Sequence, residues 1–190
     1  MNSSPTPSSR RPARLIVVMG VAGCGKSTVG EALARRLGKT FFDADDFHPA
    51  ANVAKMSKGV PLTDDDRWPW LDRLGRALHD EAERAGMVVL GCSALRRAYR
   101  ERLIASAGEP ILFVYLQGPH ALIAGRMAQR SGHYMPLGLL DSQFAILEPP
   151  AADENALTID IEDPADMLAE RIHRTLAPGA GHPGGNGNTA

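Results

Sequence analysis

The chain has 190 residues, 21 Lys/Arg against 22 Asp/Glu, a formal net charge of −1 and 44% hydrophobic residues. This length supports one domain with a real core, and the balanced charge excludes the global basic field that draws in a nucleic-acid backbone. Two cysteines, Cys24 and Cys92, are too few and too far apart for a disulfide framework or zinc site, which points to a reducing cytoplasm, and no apolar run approaches the ~20 residues of a membrane span.

In chain order, residues 1–13 are rich in Ser, Pro and Arg and read as a disordered tail. So do residues 178–190, which are Gly, Asn, Pro and Ala with nothing to bury. A single domain over 14–177 remains. Five short apolar runs follow: Leu15–Met19, Thr40–Phe42, Met87–Leu90, Ile111–Leu116 and Leu157–Ile161. Runs this short suit strands buried on both faces of a parallel sheet. Helical periods lie between them. Ser27–Leu37 carries Val29, Leu33 and Leu37 on one face, and Trp70–Ala85 carries Leu71, Leu74 and Leu78, with Gly86 as its stop. Ala121–Arg130 and Ala165–Leu176 are helical by the same test. The alternation predicts an α/β three-layer domain. Segments 47–70 and 131–155 read as polar, Pro/Gly-punctuated insertions, of the kind that carry substrate and cap a site.

Residues 20–28 read Gly20-Val21-Ala22-Gly23-Cys24-Gly25-Lys26-Ser27-Thr28, the G-x-x-x-x-G-K-S pattern of a phosphate-binding loop between a strand and a helix. Gly20, Gly23 and Gly25 let the backbone turn and aim N–H groups at phosphate oxygens. Lys26 reaches the β- and γ-phosphates, and the Ser27 hydroxyl suits Mg²⁺. Val21, Ala22, Cys24 and Thr28 complete the cradle, with Cys24 a small filler. ATP and Mg²⁺ are thus the expected nucleotide and metal.

The next segment is Phe42-Asp43-Ala44-Asp45-Asp46-Phe47-His48-Pro49. It follows the second strand, so Asp43 and Asp45 fall near the phosphates. One suits the Mg²⁺ shell, and the other suits a general base for a substrate hydroxyl. We assign Asp43 to the metal and Asp45 to the hydroxyl.

Asn52-Val53-Ala54-Lys55-Met56 and the run Gly59-Val60-Pro61-Leu62-Thr63-Asp64-Asp65-Asp66-Arg67-Trp68-Pro69-Trp70-Leu71 come after it. Further on stand Cys92-Ser93-Ala94-Leu95-Arg96-Arg97-Ala98-Tyr99-Arg100, Arg130-Ser131-Gly132-His133-Tyr134-Met135 and Ser142-Gln143-Phe144. Together with the D-A-D-x-F-H-P segment, this set resembles the gluconokinase family of small-molecule P-loop kinases, over about residues 15–176. The second proline of Glu148-Pro149-Pro150 is a departure confined to a loop. The resemblance implies transfer of the ATP γ-phosphate to the 6-hydroxyl of D-gluconate. Kinship with nucleoside-phosphate kinases implies a P-loop NTPase fold with parallel strand order 2-3-1-4-5, helices on both faces, a substrate segment at about 47–70 and a lid at about 130–150.

An open-chain carboxylate with several hydroxyls needs a cationic fork and hydrogen-bond acceptors. Arg67 and Arg97 are the carboxylate candidates, with Arg100 and Lys55 behind them. His48 and Gln143 are further candidates for the acceptor pocket. Trp68 and Trp70 read as packing, and Asp64 and Asp66 as braces. By analogy with related kinases, Arg130 joins Lys26 and Asp45 as a catalytic group facing the transferring phosphate, and Arg126 lies by the adenine or α-phosphate. Another small-molecule kinase, such as one acting on shikimate, and a non-catalytic nucleotide-binding switch remain as alternatives. No nucleic-acid or membrane partner is expected, and a homodimer is left open.

Overall fold

The computed structural model describes residues 13–58, 60–129 and 137–176. Expectations for the tails, for Arg130 and for the Ser131–Met135 run therefore lie outside the described residues, apart from residue 13. The sheet has five parallel strands: β1 (Leu15–Met19), β2 (Thr40–Asp43), β3 (Val88–Gly91), β4 (Ile111–Gln117) and β5 (Ala156–Asp160). Their order is β2-β3-β1-β4-β5, as expected, and every neighbouring pair is parallel.

All five residues of β1 are buried, because both faces of the central strand are covered. Leu15, Val17 and Met19 point to one face and pack with Leu71, Leu74 and Leu78 of α3 (Asp64–Ala85) and Leu103 of α4 (Arg97–Ala107). Ile16 and Val18 point to the other, against Val29 and Leu33 of α1 (Lys26–Leu37) and Leu168 and Ile172 of α7 (Ala165–Leu176). This is the two-residue strand period dividing one apolar run between two cores. Each such side chain contributes about 1.5–3 kcal/mol on burial.

The substrate segment is more helical than the sequence pattern suggested. A 3-10 turn (Ala44–Phe47) leads to α2 (Ala50–Met56), and α3 begins at Asp64, six residues before the expected start. Thr63 caps α3 by accepting from Asp66 N–H, while the Asp66 carboxylate accepts from Thr63 N–H. The helix nonetheless runs through Pro69, which has no N–H to donate to the Asp65 carbonyl. Helices α4, α5 (His120–Ala128) and α6 (Leu137–Ile146) complete the chain. Helices α3 and α4 meet at Gly75, where a Cβ would lie 2.5 Å from Ser106 Cβ and 2.9 Å from Ala107 N.

The register places the chemistry. Asp43 pairs with Gly91, which pairs with Val18, so the end of β2 stands level with the entrance to the 20–25 loop. After β3 the chain turns through Ala94, a non-glycine residue at φ 41°, and Ser93 O accepts from Gly20 N–H at 3.3 Å.

Candidate active site

The loop between β1 and α1 closes on three glycines with positive φ: 143° at Gly20, 80° at Gly23 and 102° at Gly25. Side chains rarely adopt that region, and at Gly23 a Cβ would also meet Met127 of α5. Gly25 caps α1 without a side-chain bond, so the first helical N–H groups stay open toward the loop. Lys26 Nζ donates to Val21 O at 3.1 Å, and Ala22 N–H donates to Gln143 Oε1 at 2.6 Å. Ser27 Oγ donates to Asp43 Oδ2 at 2.8 Å, which joins the two expected metal-binding residues. Cys24 is buried and burial pushes its thiol up, which suits the filler role. Cys92 is pushed up to about 12 by the same cause.

Asp43 Oδ1 accepts from Asp45 N–H at 3.1 Å and so caps the 3-10 turn. That turn presents the Asp45 carboxylate, 86% exposed, to the cleft. Its acidity is nonetheless weakened, first by desolvation and then by the charge of Asp43, with His48 and Lys26 opposing. His48 stacks on Trp70, ring centroids 4.2 Å apart and planes 14° from parallel, with Nε2 3.9 Å from Asp45 Oδ1. Burial lowers its imidazole below the ordinary value, and Arg67 adds to that while Asp45 opposes it. The ring is therefore neutral at neutral pH. Trp70 Nε1 donates to Ala44 O at 3.0 Å, so the indole anchors the turn, as its packing assignment required.

Beyond His48 lies a cationic cluster. Arg67 Nη1 donates to Asp64 Oδ1 at 3.3 Å and to Tyr99 Oη at 3.2 Å. Arg96 Nη1 donates to Asp64 Oδ2 at 2.8 Å. Both guanidinium groups lie over the Tyr99 ring, at 5.4 and 5.5 Å from its centroid. Tyr99 Oη donates to Asp64 Oδ1 at 2.5 Å; this bond and the two arginines hold the Asp64 carboxyl below the usual range. Trp68 meets Tyr99 edge-on at 5.6 Å.

Several sequence-based assignments are redrawn by this geometry. Arg97 is turned away from Arg67. Its fork binds both oxygens of Asp153, at 3.1 and 2.8 Å, and its Nε donates to Glu101 at 2.9 Å. Arg100 is buried, with Nη2 2.8 Å from Glu154 Oε1, and its Nη1 donates to Ala94 O (3.1 Å), Leu95 O (3.4 Å) and Glu148 O (3.0 Å). It is a brace for the left-handed turn at Ala94. Lys55 grips both oxygens of Asp66, at 2.6 and 2.7 Å, and helps hold that carboxyl at about 2. Gln143 meets the phosphate loop. Arg126, in the last turn of α5, donates to Ile161 O at 2.7 Å.

Comparison with known proteins places this arrangement. A family model described as an AAA domain matches residues 15–150. A mouse protein named "Probable gluconokinase" is 48% identical over 178 residues, covering 85% of this chain and 97% of its own. A gluconokinase of Gluconobacter oxydans is 45% identical over 161 residues, covering 85% and 90%. The chain belongs to the gluconokinase family. The crystal structure of a gluconokinase from Sinorhizobium meliloti superposes with a TM-score of 0.78 at 44% identity, over 88% of this chain and 93% of that one. Sequence reasoning about this gluconokinase-family chain passed over Arg96 and Tyr99. The available signal was Tyr99 itself, an aromatic residue among arginines on a segment that follows a strand.

Proposed function

We propose that this gluconokinase-family chain transfers the γ-phosphoryl group of ATP to the 6-hydroxyl of D-gluconate, giving 6-phospho-D-gluconate and ADP. The observation that carries the reading is a continuous file of groups. Charge interactions link its members in order: Lys26 acts on Asp45, His48 lies 3.9 Å from Asp45, and Arg67, which shares the Tyr99 ring with Arg96, acts on His48. A linear hexonate carries its groups in the same order, a terminal hydroxyl for Asp45 and a carboxylate for the arginines. Charge-assisted bonds from guanidinium forks give the carboxylate orientation as well as affinity.

Asp45 takes the proton of the 6-hydroxyl as the oxygen attacks the γ-phosphorus and the bond to the β-phosphate oxygen breaks. Its raised pKa brings the carboxylate nearer the basicity that proton removal calls for. Lys26 and the loop N–H groups neutralise charge on the transferring group. Neutral His48 offers a hydrogen bond to a substrate hydroxyl without adding charge beside the base. Arg126 faces the nucleotide's adenine or α-phosphate side. Arg130 supplies a cation to the transferring phosphate, in a lid at about 130–150 of a domain spanning 14–177.

Ser27 and Asp43, a hydroxyl and a carboxylate already in contact, fit a hard divalent cation that takes its remaining ligands from phosphate and water. Mg²⁺ held there would neutralise β- and γ-oxygens. The cell compartment proposed is the cytoplasm; among the described residues no helix is long and apolar enough to cross a membrane. The test is ADP release with ATP plus gluconate, sorbitol, shikimate or no acceptor. Gluconate-dependent release supports the reading, and equal release with sorbitol removes it.

A further inference from the structure

The Val21–Ala22 peptide unit is held from two sides. Its carbonyl accepts from Lys26 Nζ at 3.1 Å, and its N–H donates to Gln143 Oε1 at 2.6 Å. In a trans peptide these groups point in opposite directions within the plane, so lysine and glutamine grip one rigid plane from opposite edges. The amide orientation of Gln143 is fixed by its partner: a backbone N–H needs an acceptor, so the oxygen faces Ala22. Gln143 is itself carried on a supported element. His120 Nε2 of α5 lies 2.7 Å from Asp141 Oδ1 of α6, and the His120 ring is 5.1 Å from that of Phe144. Helix α5 in turn presses Met127 and Ile123 onto the loop at Gly23.

We infer that Gln143 is a positioning residue of the phosphate cradle. From α6 it fixes the Val21–Ala22 plane, so that the Lys26 ammonium and the loop N–H groups stand in place before nucleotide arrives. Val21 O also accepts from Cys24 N–H at 3.4 Å, so the carbonyl edge has a second anchor; Gln143 holds the N–H edge, and without it that edge can swing and loosen the carbonyl's bond to Lys26. Gln143 therefore acts on the nucleotide side of the cleft rather than in the acceptor pocket. The inference rests on the nucleotide-binding half of the proposed function alone.

The experiment uses the full chain and the variants Gln143→Met and Gln143→Glu. Methionine keeps the length and lacks a strong acceptor, whereas glutamate keeps the acceptor. Amide deuterium exchange over residues 20–28 is followed without nucleotide, and ADP affinity is measured by calorimetry. In Gln143→Met, loop exchange should accelerate and ADP affinity fall about three- to tenfold, the range for one lost neutral hydrogen bond. The gluconate KM at saturating ATP should hold. In Gln143→Glu the loop should stay protected, and this variant carries the test if Gln143→Met fails to fold. Three results overturn the inference: equal exchange in both variants, tighter ADP binding in Gln143→Met, or a raised gluconate KM with unchanged ADP affinity. Neither exchange nor ADP binding needs an acceptor, so both readouts stand even if gluconate is not the substrate.

Discussion

Replacing Arg67 by Leu should impair gluconate use and spare ATP. The Arg67 guanidinium has five N–H donors and uses one nitrogen, Nη1, on Asp64 and Tyr99, which leaves the rest of the fork for a ligand. A hydrogen bond to a charged group contributes about 1.5–3 kcal/mol. The Arg67 side chain is 22% exposed, so solvent screening favours the lower part of that range. The expected loss in kcat/KM for gluconate is roughly ten- to fiftyfold, carried mainly by KM. Asp64 keeps Arg96 and Tyr99 as partners, so the cluster should not collapse. Arg97→Leu is the matched control. Its fork is committed to Asp153 and Glu101 at the surface, where solvent screens such pairs, and its gluconate KM should stay within about threefold of the parent. The assay is coupled ADP release with gluconate varied at saturating ATP, then ATP varied at saturating gluconate. An unchanged Arg67→Leu, or an Arg97→Leu defect as large as the one predicted for Arg67→Leu, would refute the reasoning.

Lys26→Ala should cut kcat by about a hundredfold or more, as for other lost electrostatic donors in transfer sites, with the melting temperature little changed; retention of more than about a tenth of kcat in a single-turnover assay contradicts the role. Asp45→Asn should collapse kcat more than it weakens ATP binding, and it should melt no lower than the parent at pH 7. The sign follows from the raised folded pKa, because the ionised carboxylate then costs stability above both folded and unfolded values, a cost that disappears as pH falls below the unfolded one. The acid limb of the kcat profile should accordingly lie above the ordinary aspartate range, and a limb at or below it removes Asp45 as the base. Arg100→Met should leave both KM values alone and destabilise by about 3–5 kcal/mol, the cost of stranding one half of a buried pair, lowering the melting temperature by roughly 6–20 °C; a gluconate KM defect without a melting shift would return Arg100 to the acceptor site.

The sheet was legible because its signals are local. Each strand is a short apolar run, and the phosphate loop is an unbroken string of nine residues whose chemistry forces strand before and helix after. The proposed carboxylate site was less legible because it depends on where one helix begins. Arg96 is the N-cap of α4 and Arg97 its first residue. One step along the chain turns the side chain from Asp64 toward Asp153, and no period in the sequence announced that helix. The ion pair of Arg100 was hidden for a different reason: its carboxylate partner, Glu154, is 54 residues away. The early start of α3 did have a signal, the Thr63–Asp66 cap, which Pro69 masked.

Gly75 stands on α3 two turns beyond Arg67, and across its bare Cα lie Ser106 and Ala107 of α4, the helix whose N-terminus carries Arg96. The gauge between the two arginines is thus set from behind the pocket, by the thickness of a missing methyl group. A side chain there would wedge the helices apart like a shim in a caliper, and the jaws would open at the carboxylate end. The spacing of the two arginine-bearing helices is thus tied to a position that carries no side chain at all.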